Sequence, residues 1–179
     1  IRKPEEFFRF YRDKMLFPDA EPSMPHIKLA ELEQCGKLKG VITQNIDGLH
    51  QKAGSRHVIE LHGSVLRNYC ERCGEFYGLD TIINSEGVPT CKCGGRIKPD
   101  VVLYEEGLNN DDIENAIRYI SEADTLIIGG TSLVVYPAAG LVRYFRGKHL
   151  VVINMSPTQT DGQADLLIAD KIGKVLGQL

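Results

Sequence analysis

No apolar run among the 179 residues approaches the ~20 needed to span a bilayer, so no transmembrane helix and no membrane partner are expected. Charge of one sign is also lacking. The formal net charge is −3, which gives no electrostatic footprint for direct nucleic-acid binding. There is no visible secretory leader, no internal repeat and no low-complexity tract. Nor is there a G-x-G-x-x-G dinucleotide fingerprint. The chain opens on Ile1 rather than methionine, which reads as a start downstream of the natural N-terminus. What remains is an ordinary globular composition, 42% hydrophobic and 25% charged. That length holds one domain with a full core, or one domain carrying a small insert. The expected location is cytoplasmic.

The order of elements can be read from periodicity and punctuation. Pro4 suits a first helical turn, and Phe7, Phe8 and Tyr11 follow at helical spacing. Phe17 to Pro25 holds three prolines in nine residues and reads as a loop. A second helix carries Ile27, Ala30 and Gln34 on one stripe and Leu29, Leu32 and Cys35 on another, with Gly36 as its stop. The spacing leaves open which stripe is buried. Short buried strands then read at Gly40–Gln44, Val58–Leu61, Thr125–Ile128, Leu150–Ile153 and Leu166–Ile168. Between them lie a helix over 111–123, with Ile113, Ile117 and Ile120 on one face, and a helix opened by Pro137, with Ala138, Leu141, Val142 and Phe145 at i, i+3, i+4 and i+7. A final helix runs to the end. Continuous apolar strands alternating with amphipathic helices predict an α/β fold, a parallel sheet covered on both faces.

Cysteine usage is concentrated. Four of the five cysteines fall between positions 70 and 93, as Cys70-x-x-Cys73, seventeen residues, then Cys91-x-Cys93. Two tight knuckles presenting paired thiolates is the usual build of a closed tetrahedral Zn2+ site, here with glycines at Gly74, Gly94 and Gly95 to let the backbone turn. Four buried or disulfide-bonded cysteines are the competing reading. A closed four-sulfur site has no open coordination position, so the zinc would be structural, holding an insert too small for its own core. Cys35 stands apart in a helical pattern and reads as a small buried side chain.

In an open parallel sheet, ligands bind beyond the C-terminal ends of strands. Three such ends carry polar residues. Gly129-Gly130-Thr131-Ser132 would let a backbone approach phosphate or ribose, and Asn154 follows 23 residues beyond Thr131 at the next strand end. Gly-Gly-Thr-Ser is equally an ordinary turn, and the spacing leaves both readings open. Gln44, Asn45 and Asp47 put two amides and a carboxylate directly after an apolar strand, where burial is costly without a partner. An Asx-type turn capping the segment 47–53 would explain them as well. His62, followed by Gly63 at the end of Val58–Leu61, can project an imidazole into a cleft, suited to general-base work or simply hydrogen-bonded in place.

Taken together these segments resemble the sirtuin family, its bacterial members most closely. The resemblance runs over nearly the whole chain: Thr43–His50, Glu60–Gly63, the four cysteines in order, Gly94-Gly95, Lys98–Val102, Gly130–Leu133 with Val135 and Pro137–Ala139, and Val152–Asn154. It implies a Rossmann-like domain plus a small zinc-binding module. The implied division is a helical segment at 1–38 associated with the small domain, an NAD-binding domain of 39–67 and 99–179, and a zinc module of 68–98. The implied reaction removes an acyl group from a protein lysine, consumes NAD, and yields nicotinamide, free lysine and O-acyl-ADP-ribose. By position His62 would be the catalytic base. It would act on a ribose hydroxyl after the acyl oxygen has displaced nicotinamide at C1′. Asn45 and Asp47 would line the nicotinamide pocket, with Gln44 and Ile46 beside them. Gly130, Thr131, Ser132 and Asn154 would hold ribose and phosphate, and Lys171 would lie by the adenine. Val101 and Val102 would form the edge that pairs with an acylated-lysine protein substrate.

The chain departs from the family pattern in two places. The family's opening strand, its Gly-Ala-Gly-x-Ser cofactor loop and an Asp-Phe-Arg segment do not occur in these residues. After Val101-Val102 the family has an aromatic, then Gly-Glu, whereas this chain reads Leu103-Tyr104-Glu105-Glu106. Two other functions share the scaffold: an NAD-dependent protein ADP-ribosyltransferase, and a zinc and nucleotide binding module without catalysis.

Overall fold

A computed structural model describes all residues, 1–179. The chain divides into two compact units, one of Ile1–Ala20, Asn45–Gly48 and His62–Gly107, the other of Glu21–Gln44, Leu49–Leu61 and Leu108–Leu179.

The first unit begins with helix α1, Pro4–Lys14. Pro4 opens it where no N–H is needed, Glu5 and Glu6 meet the positive end of its dipole, and Arg12 and Lys14 meet the negative end. Phe8 and Tyr11 are its buried stripe.

The second unit opens on α2, Met24–Gln34. Ser23 caps it, and the His26 ring nitrogen accepts from the Ser23 N–H at 3.2 Å. Ala30 is its buried residue, flanked by half-buried Leu29 and Leu32, while Ile27 is exposed. The buried face therefore straddles the two expected stripes. Cys35 is exposed at the helix end, contrary to the buried side chain expected, because the helix stops there and Gly36 turns the chain away.

Strand β1 (Val41–Thr43), helix α3 (Leu49–Lys52) and strand β2 (Val58–Glu60) follow, and β1 pairs in parallel with β2. The cysteine region, left without secondary structure by periodicity, folds as β3 (Gly63–Cys70), β4 (Phe76–Tyr77), α4 (Leu79–Ile83) and β5 (Ile97–Val101). These make an antiparallel sheet in the order β4-β3-β5, with β5 an edge. Its core joins Val65, Cys70, Ile82, Cys91 and Ile97 to Phe8 and Tyr11 of α1.

Helix α5 (Asn110–Glu122) is capped by the Asn109 carboxamide oxygen, which accepts from Asp111 and Asp112 N–H. Strands β6 (Thr125–Gly129), β7 (His149–Ile153) and β8 (Leu166–Ile168) form a parallel sheet in sequence order, and α6 (Ile172–Leu176) closes the chain. The parallel strands thus hydrogen-bond as two sheets, β1-β2 and β6-β7-β8, and no strand of the chain pairs with both. The segment opened by Pro137 is a 3-10 helix, Ala138–Tyr144, rather than an α-helix. Gly140 and β-branched Val142 give it weak helix propensity, and i→i+3 bonds such as Gly140 N–H to Pro137 O hold the tighter turn.

The unit boundary also runs differently from the division expected. Residues 21–38 lie in the second unit, where α2 packs on α3 and α6. Residues 62–67 and 99–107 lie in the first, because β3 and β5 pair with one another across the whole cysteine region.

Candidate functional site

The four cysteines of the first unit converge. Their sulfurs all lie within 4.8 Å of one another, with Cys70–Cys93 at 3.5 Å and Cys73–Cys91 at 3.6 Å. A disulfide needs about 2.05 Å, and all five cysteines are free. Four thiolates at about 2.3 Å from one zinc would sit about 3.8 Å apart, within the range of 3.5 to 4.8 Å that these sulfurs span. The donor set therefore fits a closed tetrahedral Zn2+.

Local backbone geometry makes the convergence. Gly74 N–H donates to Cys70 O and Gly94 N–H to Cys91 O, each closing a knuckle. Arg72 N–H points at Cys70 Sγ and Cys93 N–H at Cys91 Sγ, both at 3.4 Å. A Cβ at Gly95 would lie 2.6 Å from Cys70 Sγ and from Arg72 Cβ, so glycine is required for the sulfur to reach its place. Tyr77, which the sequence pattern did not single out, donates its hydroxyl to Cys91 Sγ at 3.1 Å. That bond is the chief cause holding the Cys91 thiol down at about 6. Burial raises the Cys70 thiol, but the backbone N–H groups of Cys73 and Arg72 outweigh it and the group ends below its ordinary value. The neighbouring thiols push Cys73 up to about 12 and raise Cys93, so two of the four sulfurs give up their protons readily and two hold them.

The polar turn and the histidine follow adjoining strand ends. Thr43 faces Glu60 in the β1-β2 ladder, and Leu61 N–H donates to Thr43 O. Asn45-Ile46-Asp47 leaves β1 there, and His62 leaves β2. Val65 N–H then bonds Ile46 O at 2.9 Å, which fastens the turn to β3. Ile46 packs on the first unit's core, while Asn45 and Asp47 are exposed. Gln44 is half-buried in the second unit. Gln44, Asn45, Asp47 and His62 all have interaction partners. Gly63 has φ +75°, and a Cβ there would lie 1.9 Å from Asp100 O. Only glycine lets the chain turn from His62 into β3 against β5. His62 O accepts from Val102 N–H at 3.0 Å, so the histidine's backbone is tied to the end of the β5 edge.

The remaining expected residues gather at the C-terminal edge of the β6-β7-β8 sheet. Gly129 faces Ile153, and Gly130 N–H donates to Ile153 O. Thr131 Oγ1 accepts from Leu133 N–H at 3.2 Å, and Ser132 is exposed. Asn154 N–H donates to Ile168 O, and its amide donates to Ser156 O at 2.8 Å. Lys171 caps α6 just past β8. The structure thus brings Gly130, Thr131, Ser132, Asn154 and Lys171 to neighbouring ends of one sheet. Asn45, Ile46, Asp47, His62, Val101 and Val102 belong to the other unit.

Known proteins give this arrangement its context. A model described as the Sir2 family matches residues 1–137. An NAD-dependent protein deacetylase of Clostridium perfringens is 64% identical over 99% of this chain and 74% of the relative. One of Clostridium acetobutylicum is 62% identical over 96% of this chain and 71% of the relative. A structure of Sir2 with a p53 peptide and NAD+ superposes with a TM-score of 0.89 at 43% identity, covering 98% of this chain and 76% of that one. Sir2 bound to an acetylated peptide gives 0.90 at 42%, with 98% and 76% covered. Sir2 with the inhibitor EX-527, 2′-O-acetyl-ADP-ribose and a deacetylated p53 peptide gives 0.89 at 42%, with 98% and 78% covered.

Proposed function

Because the chain belongs to the Sir2 family, we propose that it removes acetyl groups from protein lysine side chains at the expense of NAD. The products are nicotinamide, free lysine and O-acyl-ADP-ribose. The observation that carries the reading is the pair of adjoining strand ends. The Asn45–Asp47 turn and His62 leave β1 and β2 side by side, a conjunction that suits one bound co-substrate. His62 acts as the base that takes the proton of a ribose hydroxyl. Asn45 and Asp47 hold nicotinamide, with Gln44 and Ile46 beside them. Gly130, Thr131, Ser132 and Asn154 receive ribose and phosphate, and Lys171 lies by adenine. Val101 and Val102 pair with the acylated peptide. Cys70, Cys73, Cys91 and Cys93 hold a structural zinc that takes no part in proton transfer. The Rossmann-like part is read as the NAD-binding portion, and the cysteine-bearing part as the zinc module. The location is read as cytoplasmic. No helix is long and apolar enough to cross a membrane.

The test is an acetyl-lysine peptide followed by mass spectrometry, with and without NAD, on the full-length protein and its His62→Ala variant. Acyl loss that needs NAD, yields O-acetyl-ADP-ribose and vanishes in the variant is the expected result. An added ADP-ribose mass with the acyl group retained would instead assign a transferase.

A further inference from the structure

The edge strand β5 leads into a turn over Leu103–Glu106. Glu105 has φ +71°, a left-handed conformation that strains a residue with a Cβ. The chain thus carries a glutamate side chain at a backbone position that disfavours one. The turn beneath it is fully braced. Glu106 N–H donates to Leu103 O at 3.0 Å, the Glu106 carboxylate accepts from Leu103 N–H at 3.0 Å, and Lys98 pairs with the same carboxylate at 2.8 Å. Asp100 is paired with Arg67 at 2.8 Å. Lys98 and Arg67 therefore neutralise Glu106 and Asp100, and the residual charge of this edge is that of Glu105. Its side chain is exposed and takes part in no hydrogen bond or ion pair. Tyr104 beside it is entirely exposed. Val102 N–H is spent on His62 O, which by strand alternation turns the polar groups of Val101 to the outer edge, open for an added strand.

We propose that Glu105 is a specificity residue for the acyl-lysine peptide, selecting substrates with a lysine or arginine on the flank of the acylated residue. The inference rests on the reading of Val101 and Val102 as the peptide-binding edge. A peptide laid along β5 runs past the Leu103–Glu106 turn. There a carboxylate and an aromatic face, both suited to a cation, stand together. An acidic flank meets uncompensated repulsion at the same place.

The experiment measures binding, with NAD withheld, of three acetyl-lysine peptides whose flanking residues are Lys, Gln or Glu. It uses fluorescence anisotropy on the full-length protein, with turnover then scored on NAD addition. The wild type should bind in the order Lys, Gln, Glu, each step roughly two- to fivefold at low salt and shrinking as salt is added. Glu105→Gln and Glu105→Gly should both flatten the order, the second while relieving the left-handed strain. An undiminished order in Glu105→Gln overturns the proposal, as does flattening in the glycine variant alone, which would trace the preference to turn shape. Failure of all three peptides to bind overturns it together with the edge assignment. Ordered binding without acyl loss on NAD addition would sustain the inference and sink the deacetylase reading.

Discussion

Gly63 sits between the candidate base and the strand it leads into, and its hydrogen is the only substituent the site accepts. A Cβ at that position would overlap Asp100 O, which is backbone and cannot swing aside. Gly63→Ala should therefore cost about 3 kcal/mol or more, read as a fall in melting temperature. It should also move His62, so that kcat falls even below the new melting point. A variant with wild-type stability would show that the turn relaxes and that this reading of it is wrong. Tyr77 acts at the same scale on the metal. Tyr77→Phe removes the hydroxyl that holds Cys91 low, and zinc affinity should drop roughly tenfold in a chelator competition while the fold is kept. Position at a strand end left His62 open between a base and a hydrogen-bonded structural residue, and its role as base comes from the family resemblance. Tyr77 was not, because a tyrosine fourteen residues before its cysteine carries no spacing signal.

Among the elements, α2 packs on α3 and α6 and is tied to the loop before β2 by one carboxylate. Glu33, with 9% of its side chain exposed, accepts from Arg56 N–H, His57 N–H and His57 Nδ1, the last at 2.6 Å. Burial pushes its carboxyl up, but the His57 ring and the two backbone donors outweigh burial and hold it below the usual carboxylate range. A depressed group stabilises the fold above its unfolded value and loses that contribution as pH falls through the folded one. Glu33→Gln should thus cost about 1–3 kcal/mol at neutral pH. The melting-temperature gap to wild type should close below the ordinary carboxylate range. A gap independent of pH would mean the charge is not what joins α2 to the loop before β2. The zinc knuckles behave as a second coupled element. Gly95→Ala drives a methyl against Cys70 Sγ, so metal content should fall below the one zinc per chain expected of the wild type. The knuckles were legible from spacing. Their pairing into β3 and β5 was not, since those strands bury one face on α1 and interrupt their alternation with a register shift between Ser64 and Asn68.

For the molecule as a whole, two of the four zinc ligands belong to the core, while Cys73 and Cys93 are exposed. Cys70 and Cys91 pack with Phe8, Tyr11, Leu16 and Ile97, so metal removal should loosen more than the knuckles. Stripping zinc should raise amide exchange across 1–20 and 62–107 while β6 and β7, in the other unit, keep their protection. Exchange confined to 70–95 would mean that α1 and the cysteine region hold together without the metal.

Local signals sufficed for most element types of the α/β part and for the zinc donors. They are apolar runs bounded by glycine, and cysteine pairs with two and one residues between them. Long-range packing set which residues share a unit, that Cys35 faces solvent, that the segment after Pro137 winds as a 3-10 helix, and that Glu105 is the one unpaired charge of its edge. Those outcomes depend on partners distant in sequence: Arg67 for Asp100, Lys98 for Glu106, α1 for the cysteine core. Pairing energies between distant residues leave no periodic trace in the chain that supplies them.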